Sequence, residues 1–240
     1  IEAVSDHVHA LGMRFGLWLE IEAAGSNSRL AKEHPEYIMR RRGEVCANGR
    51  AIDLALPEVE QFCLSELTRA VKDYKLDMYR LDHNHEFGLG GLREQSGYSE
   101  NTNWRYFEAF SRIFKTLRRE NPKLVMQACA GGGGRLDWGT LSLFHNAELS
   151  DWMHSPRSAR MFSGVTHSLP PEILLRTFGT EVGDIAIGGD LAAKLRTILI
   201  GRPIFRGLAP NFEMYGDYLR TAISETVKLY KERMRPLLKD

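Results

Sequence analysis

The sequence predicts an α/β fold, a TIM-type (β/α)8 barrel present only in part. Three observations carry that prediction. Helix and strand patterns alternate along the first half of the chain, an order that makes neighbouring strands parallel. Polar, chemistry-capable residues fall at or just beyond the C-terminal ends of four successive strand candidates: Glu20 and Glu22, Asp82, Cys129 with its glycines, and Asp151. In a barrel such ends converge on one mouth, whereas a doubly wound sheet spreads them along a crevice. Finally, about six strand candidates are present, so part of the barrel is expected to be absent.

The elements follow in order. Ile1–Leu11 carries a helical pattern through Val4, His7, Val8 and Leu11, closed by Gly12. "MRFGLWLEIE" reads as a buried strand ending in acids, and Ala23–Asp53 as a polar, irregular stretch. Pro57 opens a helix to about Tyr74, at a position where its missing N–H costs nothing. Val59, Phe62, Cys63, Leu67, Ala70 and Val71 repeat along it at helical spacing. "LDMYRLD" is a short strand, and Asn84–Glu100 a glycine-bearing loop. A helix over Thr102–Glu120 stripes Tyr106, Phe107, Phe110, Ile113, Phe114 and Leu117 along one face, and Asn121-Pro122 ends it. "KLVMQACA" is the next strand, followed at once by four glycines. "AELSD", "TFG" and "IAIGG" are short apolar pieces, and Leu191–Ile200 and Tyr215–Leu238 read as helices.

Composition narrows the function classes. The chain has 240 residues, 43% hydrophobic and 26% charged, which is globular usage. The formal net charge is +1, so nothing argues for a nucleic-acid partner. No apolar run approaches the roughly 18 residues of a membrane helix. Cys46, Cys63 and Cys129 form neither a disulfide framework nor a CxxC pair. The chain opens at Ile1 directly into a helical pattern with no leader signature, so it is expected to be an excerpt of a longer protein. Its compartment stays open, leaning to the cytoplasm.

Four constellations carry chemistry. In "YRLDHNHE", Asp82 ends a strand, and Arg80 points to the same side because strand side chains repeat every two residues. A neighbouring cation favours the ionised form that a nucleophilic carboxylate needs; a structural ion pair is the plainer reading. His83, His85 and Glu86 could share a metal face, but no further ligands follow at a recognisable spacing. "CAGGGGRLDWG" lacks both the P-loop ending and the GxGxxG spacing. It reads as backbone lining a neutral polar ligand such as a sugar, or simply as a flexible turn. In "ELSDWMHSP", Asp151 ends a strand candidate beside Trp152, and a carboxyl against an indole is suited to a general acid. In "FGLWLEIE", Trp18 offers a flat wall or fills the core, and Glu20 and Glu22 project the same way. Two carboxylates with aromatic and glycine walls are the minimal equipment for glycoside hydrolysis.

In this order, "HALGMRFGLWLEIE", "IDLALPEV", "YRLDHN", "CAGGGGRLDWG" and "LSD" resemble the catalytic barrel of glycoside hydrolase family 36, the α-galactosidases, and "TVKLYKERMRPLL" looks like its closing helix. The resemblance covers most of the chain. It implies a retaining (β/α)8 enzyme acting by double displacement, with residues 1–240 a partial catalytic barrel, incomplete at its N-terminal end, and the flanking β domains absent from this chain. It implies Asp82 as nucleophile and Asp151 as acid/base. Trp18, Arg80, Asn84, Cys129, Gly132, Gly133 and Trp152 would contact the sugar. No metal or organic cofactor is implied. The implied partner is an oligosaccharide or α-galactoside substrate, with no nucleic acid and no membrane, and a homo-oligomer of the full-length protein is left open. The departures lie around the carboxylates. The family's lysine and tryptophan before the nucleophile are Arg80 and Leu81, its Glu-Pro-Glu is Glu20-Ile21-Glu22, and its Ser-Ser is Ala130-Gly131. The family arginine before "LDL" has only Arg50 as a nearby counterpart, and the strand with the sugar-gripping Asp-Asp-Gly-Trp is absent. Retaining chemistry is therefore the firmer expectation and α-galactose specificity the softer one. A different α-glycoside, transglycosylation, a metal-dependent barrel hydrolase or a non-catalytic carbohydrate-binding descendant are the alternatives. The chain alone is expected to turn over poorly or not at all.

Overall fold

Parallel strands joined by helices do form. A computed structural model describes residues 1–47, 50–152, 154–179, 189–208 and 212–238. Contacts divide the chain into one unit of Ile1–Ala130 with Asp137–Phe144 and a second of Gly131–Leu136 with His145–Asp240.

The first unit opens with α1 (Glu2–Ala10) and β1 (Gly16–Trp18), followed by a short α2 (Arg29–Glu33). An antiparallel ribbon of β2 (Arg40–Arg41) and β3 (Glu44–Val45) precedes α3 (Pro57–Asp73) and β4 (Met78–Asp82). A hairpin of β5 (Leu92–Gln95) and β6 (Tyr98–Asn101) leads into α4 (Asn103–Glu120), then β7 (Val125–Cys129) and α5 (Trp138–Leu141). β4 lies between β1 and β7, parallel to both. The register pairs Trp18 with Arg80, Arg80 with Gln127, and Asp82 with Cys129.

The helices form where periodicity predicts them. α3 begins at Pro57 and buries Val59, Cys63, Leu67, Ala70 and Val71. α4 buries Tyr106, Ala109, Phe110, Ile113, Phe114 and Leu117. Phe107, on the predicted stripe, is 46% exposed; its ring touches Phe87, Tyr106 and Phe110 at the margin of the core. Phe114 is the centre of that core. Its ring centroid lies 6.0 Å from Tyr79 of β4, 4.7 Å from Phe110 and 4.8 Å from Phe144.

Three expectations change in this unit. The strand expected over "MRFGLWLEIE" shortens to Gly16–Trp18: the Leu19 N–H makes the last ladder bond to β4, and side chains take over the backbone beyond it. Leu19 donates its N–H to the Arg80 carbonyl at 3.3 Å, and its own carbonyl accepts from the Tyr79 hydroxyl at 2.9 Å. Ala23–Asp53 is not irregular throughout, since bridges Ala23–Ala51 and Ile38–Ile52 fold it back and bury Met39, Ile52 and Leu54. The stretch read as a loop over Asn84–Glu100 holds the β5–β6 hairpin. Its base depends on Gly90, whose φ is +74° and where an added Cβ would stand 1.6 Å from Asn103 Oδ1. Arg41 reaches the Leu89 and Gly90 carbonyls at 3.3 Å, and Arg93 pairs with Asp53 at 2.8 Å.

The second unit contains β8 (Asn146–Ala147), α6 (Arg157–Val165), β9 (Leu175–Gly179), α7 (Leu191–Thr197), β10 (Arg202–Arg206) and α8 (Asp217–Leu229). β9 and β10 run parallel in register from Leu175–Arg202 to Gly179–Arg206, and Ala147 forms a parallel bridge with Leu174. Phe178, Leu195, Ile198 and Ile223 make its core. Arg176 is 1% exposed and donates to the carbonyls of Ser158 and Thr197. The expected helix at Tyr215–Leu238 is α8 followed by a π-turn and a short 3-10 turn. Most of the "IAIGG" strand candidate lies outside the described residues. The barrel expectation holds only as parallel β–α alternation: among the described residues the ladders end without closing into a barrel.

Candidate active site

The pleat of the β1–β4–β7 ladder puts Arg80, Asp82, Gln127 and Cys129 on one face, since alternate residues of paired strands project together. Arg80 organises them. Its Nη1 donates to Gln127 Oε1 at 2.6 Å, and its Nη2 lies 3.0 Å from Cys129 Sγ and 3.6 Å from Asp82 Oδ2. Asp82 and Arg80 keep only 17% and 15% side-chain exposure. The forked guanidinium engages three partners at once, which a single ammonium does less well. Trp18, last in β1 and in register with Arg80, is 58% exposed. Asn84 is exposed, and its Nδ2 lies 3.5 Å from the Asp82 carbonyl. Cys129 is buried and has a free thiol. Trp18, Arg80, Asp82, Asn84 and Cys129 are thus gathered around the ends of three parallel strands.

A second set lies just past those strand ends. Glu22 is 1% exposed, accepts the Tyr106 hydroxyl at 2.6 Å and lies 3.5 Å from His83 Nδ1. Glu20 accepts the Glu22 N–H at 3.0 Å. Burial pushes the Glu20 carboxyl up to about 7, and the nearby charges of Glu22 and Asp82 add to that. Glu20, Glu22 and His83 bring their polar atoms within 4.8 Å of one another. His85, which the metal reading paired with His83, is not in this group; its members are two glutamates and one histidine, of which Glu22 is buried and Glu20 and His83 are half-buried. Hydrogen bonds from the Tyr106 hydroxyl and the Glu22 N–H already occupy an oxygen of each glutamate.

A stability prediction follows from Glu20. Its value in the fold lies above the ordinary 4.5, so between 4.5 and about 7 the folded chain holds a proton that the unfolded chain has released. Stability from this group is therefore full below pH 4.5 and lost as pH rises to about 7. The loss amounts to about 2–3 kcal/mol. In Glu20→Gln that decline should vanish. Urea midpoints of both chains, compared at the two ends of the window, would show it; parallel midpoints would refute it.

The second unit places its candidates differently from the expectation. Asp151 does not end a strand: β8 stops at Ala147, and Asp151 stands in an exposed bend. Ser150 Oγ accepts the Trp152 N–H at 3.1 Å, which turns the chain instead of extending it. The Trp152 indole, 62% exposed, faces Arg157 at 5.5 Å and His154 at 5.7 Å. The expected shielding of the Asp151 carboxyl by that indole is not found, because the carboxyl itself is exposed. The glycine run is not a slack turn either. A Cβ on Gly132, at φ +84°, would meet the Asp151 N at 2.6 Å, and one on Gly133 would meet the Leu149 carbonyl oxygen at 2.2 Å. Glycine there lets the chain pack directly on the segment that carries Asp151. Gly133→Ala should therefore displace that segment and lower kcat about 100-fold, the order of effect of an ångström-scale misplacement, in an assay where the wild type is active. Unchanged turnover would break this link.

Sequence reasoning missed Gln127 and the Glu148–Arg206 pair. Gln127 was discoverable, being two residues before Cys129 just as Arg80 is two before Asp82. Glu148, with a fully buried side chain, pairs with Arg206 at 2.5 Å; 58 residues separate them, and no local pattern links them.

Comparison with known proteins gives the family and the fold. A family profile described as Melibiase matches residues 1–197. Alpha-galactosidase 2 of Pediococcus pentosaceus is 28% identical over 177 residues, covering 72% of this chain and 25% of that protein. The crystal structure of the GH36 α-galactosidase AgaA from Geobacillus stearothermophilus superposes with a TM-score of 0.89 at 18% identity, covering 99% of this chain and 33% of that one. A variant of AgaA in complex with raffinose gives 0.86, with 18% identity and the same coverage. The chain thus spans about a quarter of the length of the curated relative it matches. With four fifths of its residues inside the matched region and a shared fold over nearly all of them, this chain belongs to the Melibiase family.

Proposed function

We propose that this chain supplies catalytic residues of a retaining glycoside hydrolase that cleaves terminal α-galactosides, and that residues 1–240 are part of a (β/α)8 catalytic barrel. The observation that carries the reading is Asp82 at the end of β4, beside the Arg80 guanidinium that also binds Gln127 and Cys129. In the proposed mechanism Asp82 attacks the anomeric carbon as the glycosidic C–O bond breaks, and Asp151 protonates the departing oxygen. A covalent β-glycosyl-enzyme results. Asp151 then takes a proton from water, which attacks the same carbon and releases Asp82 with net retention. Arg80 keeps positive charge beside the nucleophile, and Trp18 supplies an exposed aromatic face for a sugar ring. No metal or organic cofactor takes part in these steps. The raffinose bound to the AgaA variant supports an oligosaccharide substrate class.

The test is a panel of p-nitrophenyl α-glycosides, galactoside first, given to the natural gene product that contains this sequence. Preferred hydrolysis of the galactoside with retained configuration is the expected outcome. Preference for another sugar would keep the chemistry and replace the specificity. Binding without turnover across the panel would make this a carbohydrate-binding descendant and overturn the reading.

A further inference from the structure

Glu20, Glu22 and His83 form a mixed donor set that the proposed sugar chemistry does not use. A ligand atom from each, two carboxylate oxygens and a ring nitrogen, lie within 4.8 Å of one another. The two glutamates follow β1, and His83 is the first residue past β4, so the set joins the exits of two neighbouring strands. Backbone bonds and neighbouring rings fix its members. The Glu22 N–H donates to Glu20 Oε1 at 3.0 Å, and the Glu22 carbonyl accepts the Ile52 N–H at 3.1 Å. The His83 N–H donates to the Cys129 carbonyl at 3.0 Å, and its ring meets Phe87 edge-on at 5.7 Å. The Tyr106 hydroxyl donates to Glu22 Oε1, while Glu22 Oε2 lies 3.5 Å from His83 Nδ1. The side chains of Glu22 and His83 are 0% and 10% exposed. Glu20 Oε2 is shielded from solvent and has no hydrogen-bond partner among the described residues.

We propose that Glu20, Glu22 and His83 bind a divalent metal ion of the zinc class, which ties the exit of β1 to the exit of β4. Donor chemistry, spacing and charge each point to a cation. An imidazole with two carboxylates is a borderline donor set, which suits zinc better than the all-oxygen shells that magnesium and calcium take. Bonds of about 2.1 Å at tetrahedral angles put neighbouring donors about 3.4 Å apart. The separation of His83 Nδ1 from Glu22 Oε2, 3.5 Å, already has that spacing. Glu20 Oε2 supplies the third donor, and the fourth position is left to water. In charge, two shielded carboxylates share one imidazole, which balances at most one of them when protonated; a divalent ion balances both. The Tyr106 hydroxyl then acts as an outer support, turning the Glu22 carboxylate so that its other oxygen faces the ion. The ion is assigned no step in the sugar chemistry. Its binding is measured without turnover, so the site and the glycosidase reading can fail separately.

The experiment uses the natural gene product that contains this sequence, stripped with EDTA and then given zinc chloride alone near neutral pH. After gel filtration, elemental analysis should find one more zinc per chain in the wild type than in Glu22→Gln or His83→Ala. Competition with a chromophoric chelator should show affinity weakened about 10-fold or more in Glu20→Gln, and about 10-fold in Tyr106→Phe, the scale on which an outer support acts. His85→Ala, outside the set, should bind zinc as the wild type does. Zinc-edge X-ray absorption of the loaded wild type gives a readout that needs no variant: a single imidazole among oxygen ligands, with no sulfur. A wild type that retains no zinc would overturn the assignment, as would equal retention in folded Glu22→Gln and His83→Ala, or a sulfur shell around the bound ion. Each of these results would leave Glu22 and His83 as an ion pair within the core.

Discussion

Asp82→Ala is expected to lower kcat on an α-galactoside by about four orders of magnitude, the scale on which loss of a nucleophile acts. Sodium azide should restore turnover, because the small anion fills the space of the missing carboxylate and attacks the anomeric carbon from the same side. The product should then be the β-glycosyl azide, inverted relative to the substrate, since only one displacement occurs. The Arg80 guanidinium, 3.6 Å from Asp82 in the wild type, keeps its bonds to Gln127 and Cys129 in the variant and still offers positive charge to an incoming anion. The measurement is a rate with and without azide, plus product analysis by NMR, on the natural gene product carrying this chain. Activity that survives Asp82→Ala would sink the mechanism. Lost activity with no azide product would leave Asp82 a structural ion pair.

The second large effect is on stability. Phe114→Ala should destabilise the first unit by about 3–5 kcal/mol, the range for truncating a fully buried aromatic. Phe114 is 0% exposed, and its ring meets Tyr79, Phe110 and Phe144. The loss is therefore felt by β4, by α4 itself and by the segment after α5. For a chain of this size that corresponds to a Tm lowered by about 10 °C. Near-UV dichroism in urea would follow the aromatic cluster directly. A change below about 1 kcal/mol would mean that this ring is not the centre of the core. Leu237→Ala is a useful control, because Leu237 is 73% exposed.

Much of this was legible in the sequence where one physical signal dominated. α3 and α4 follow from apolar residues at helical spacing, and β4 and β7 from short apolar runs that end in polar groups. The side shared by Arg80 and Asp82 follows from the two-residue period of a strand alone. The failures share a cause, which is that long-range pairing overrode a local pattern. "AELSD" reads as a strand, yet only Asn146–Ala147 pairs, and Glu148 inside it is buried because Arg206 reaches it from β10. β10 itself was missed, since Pro203 and two terminal arginines hide it. The β5–β6 hairpin was hidden by glycines that local rules assign to a loop, and Asp151 does not end a strand because Ser150 bends the chain. Barrel closure cannot be read from alternation at all; it depends on strands pairing around a full turn.

The β5–β6 hairpin also bears on how such an enzyme can change. It lies between β4, which ends in the proposed nucleophile, and α4, which carries the aromatic core. Its base is locked by Gly90, by Arg41 on two carbonyls and by the Arg93–Asp53 pair. Its turn, with Ser96 and Gly97 at positive φ and Tyr98 78% exposed, faces solvent. Variation is therefore unequally tolerated along about ten residues. Substitutions or insertions at the turn leave the core alone, whereas the same changes at the base disturb helix and strand together. A combinatorial library at this hairpin should randomise residues 95–99 and keep Gly90, Arg93 and Asp53 constant, so that variation falls where the core is not disturbed.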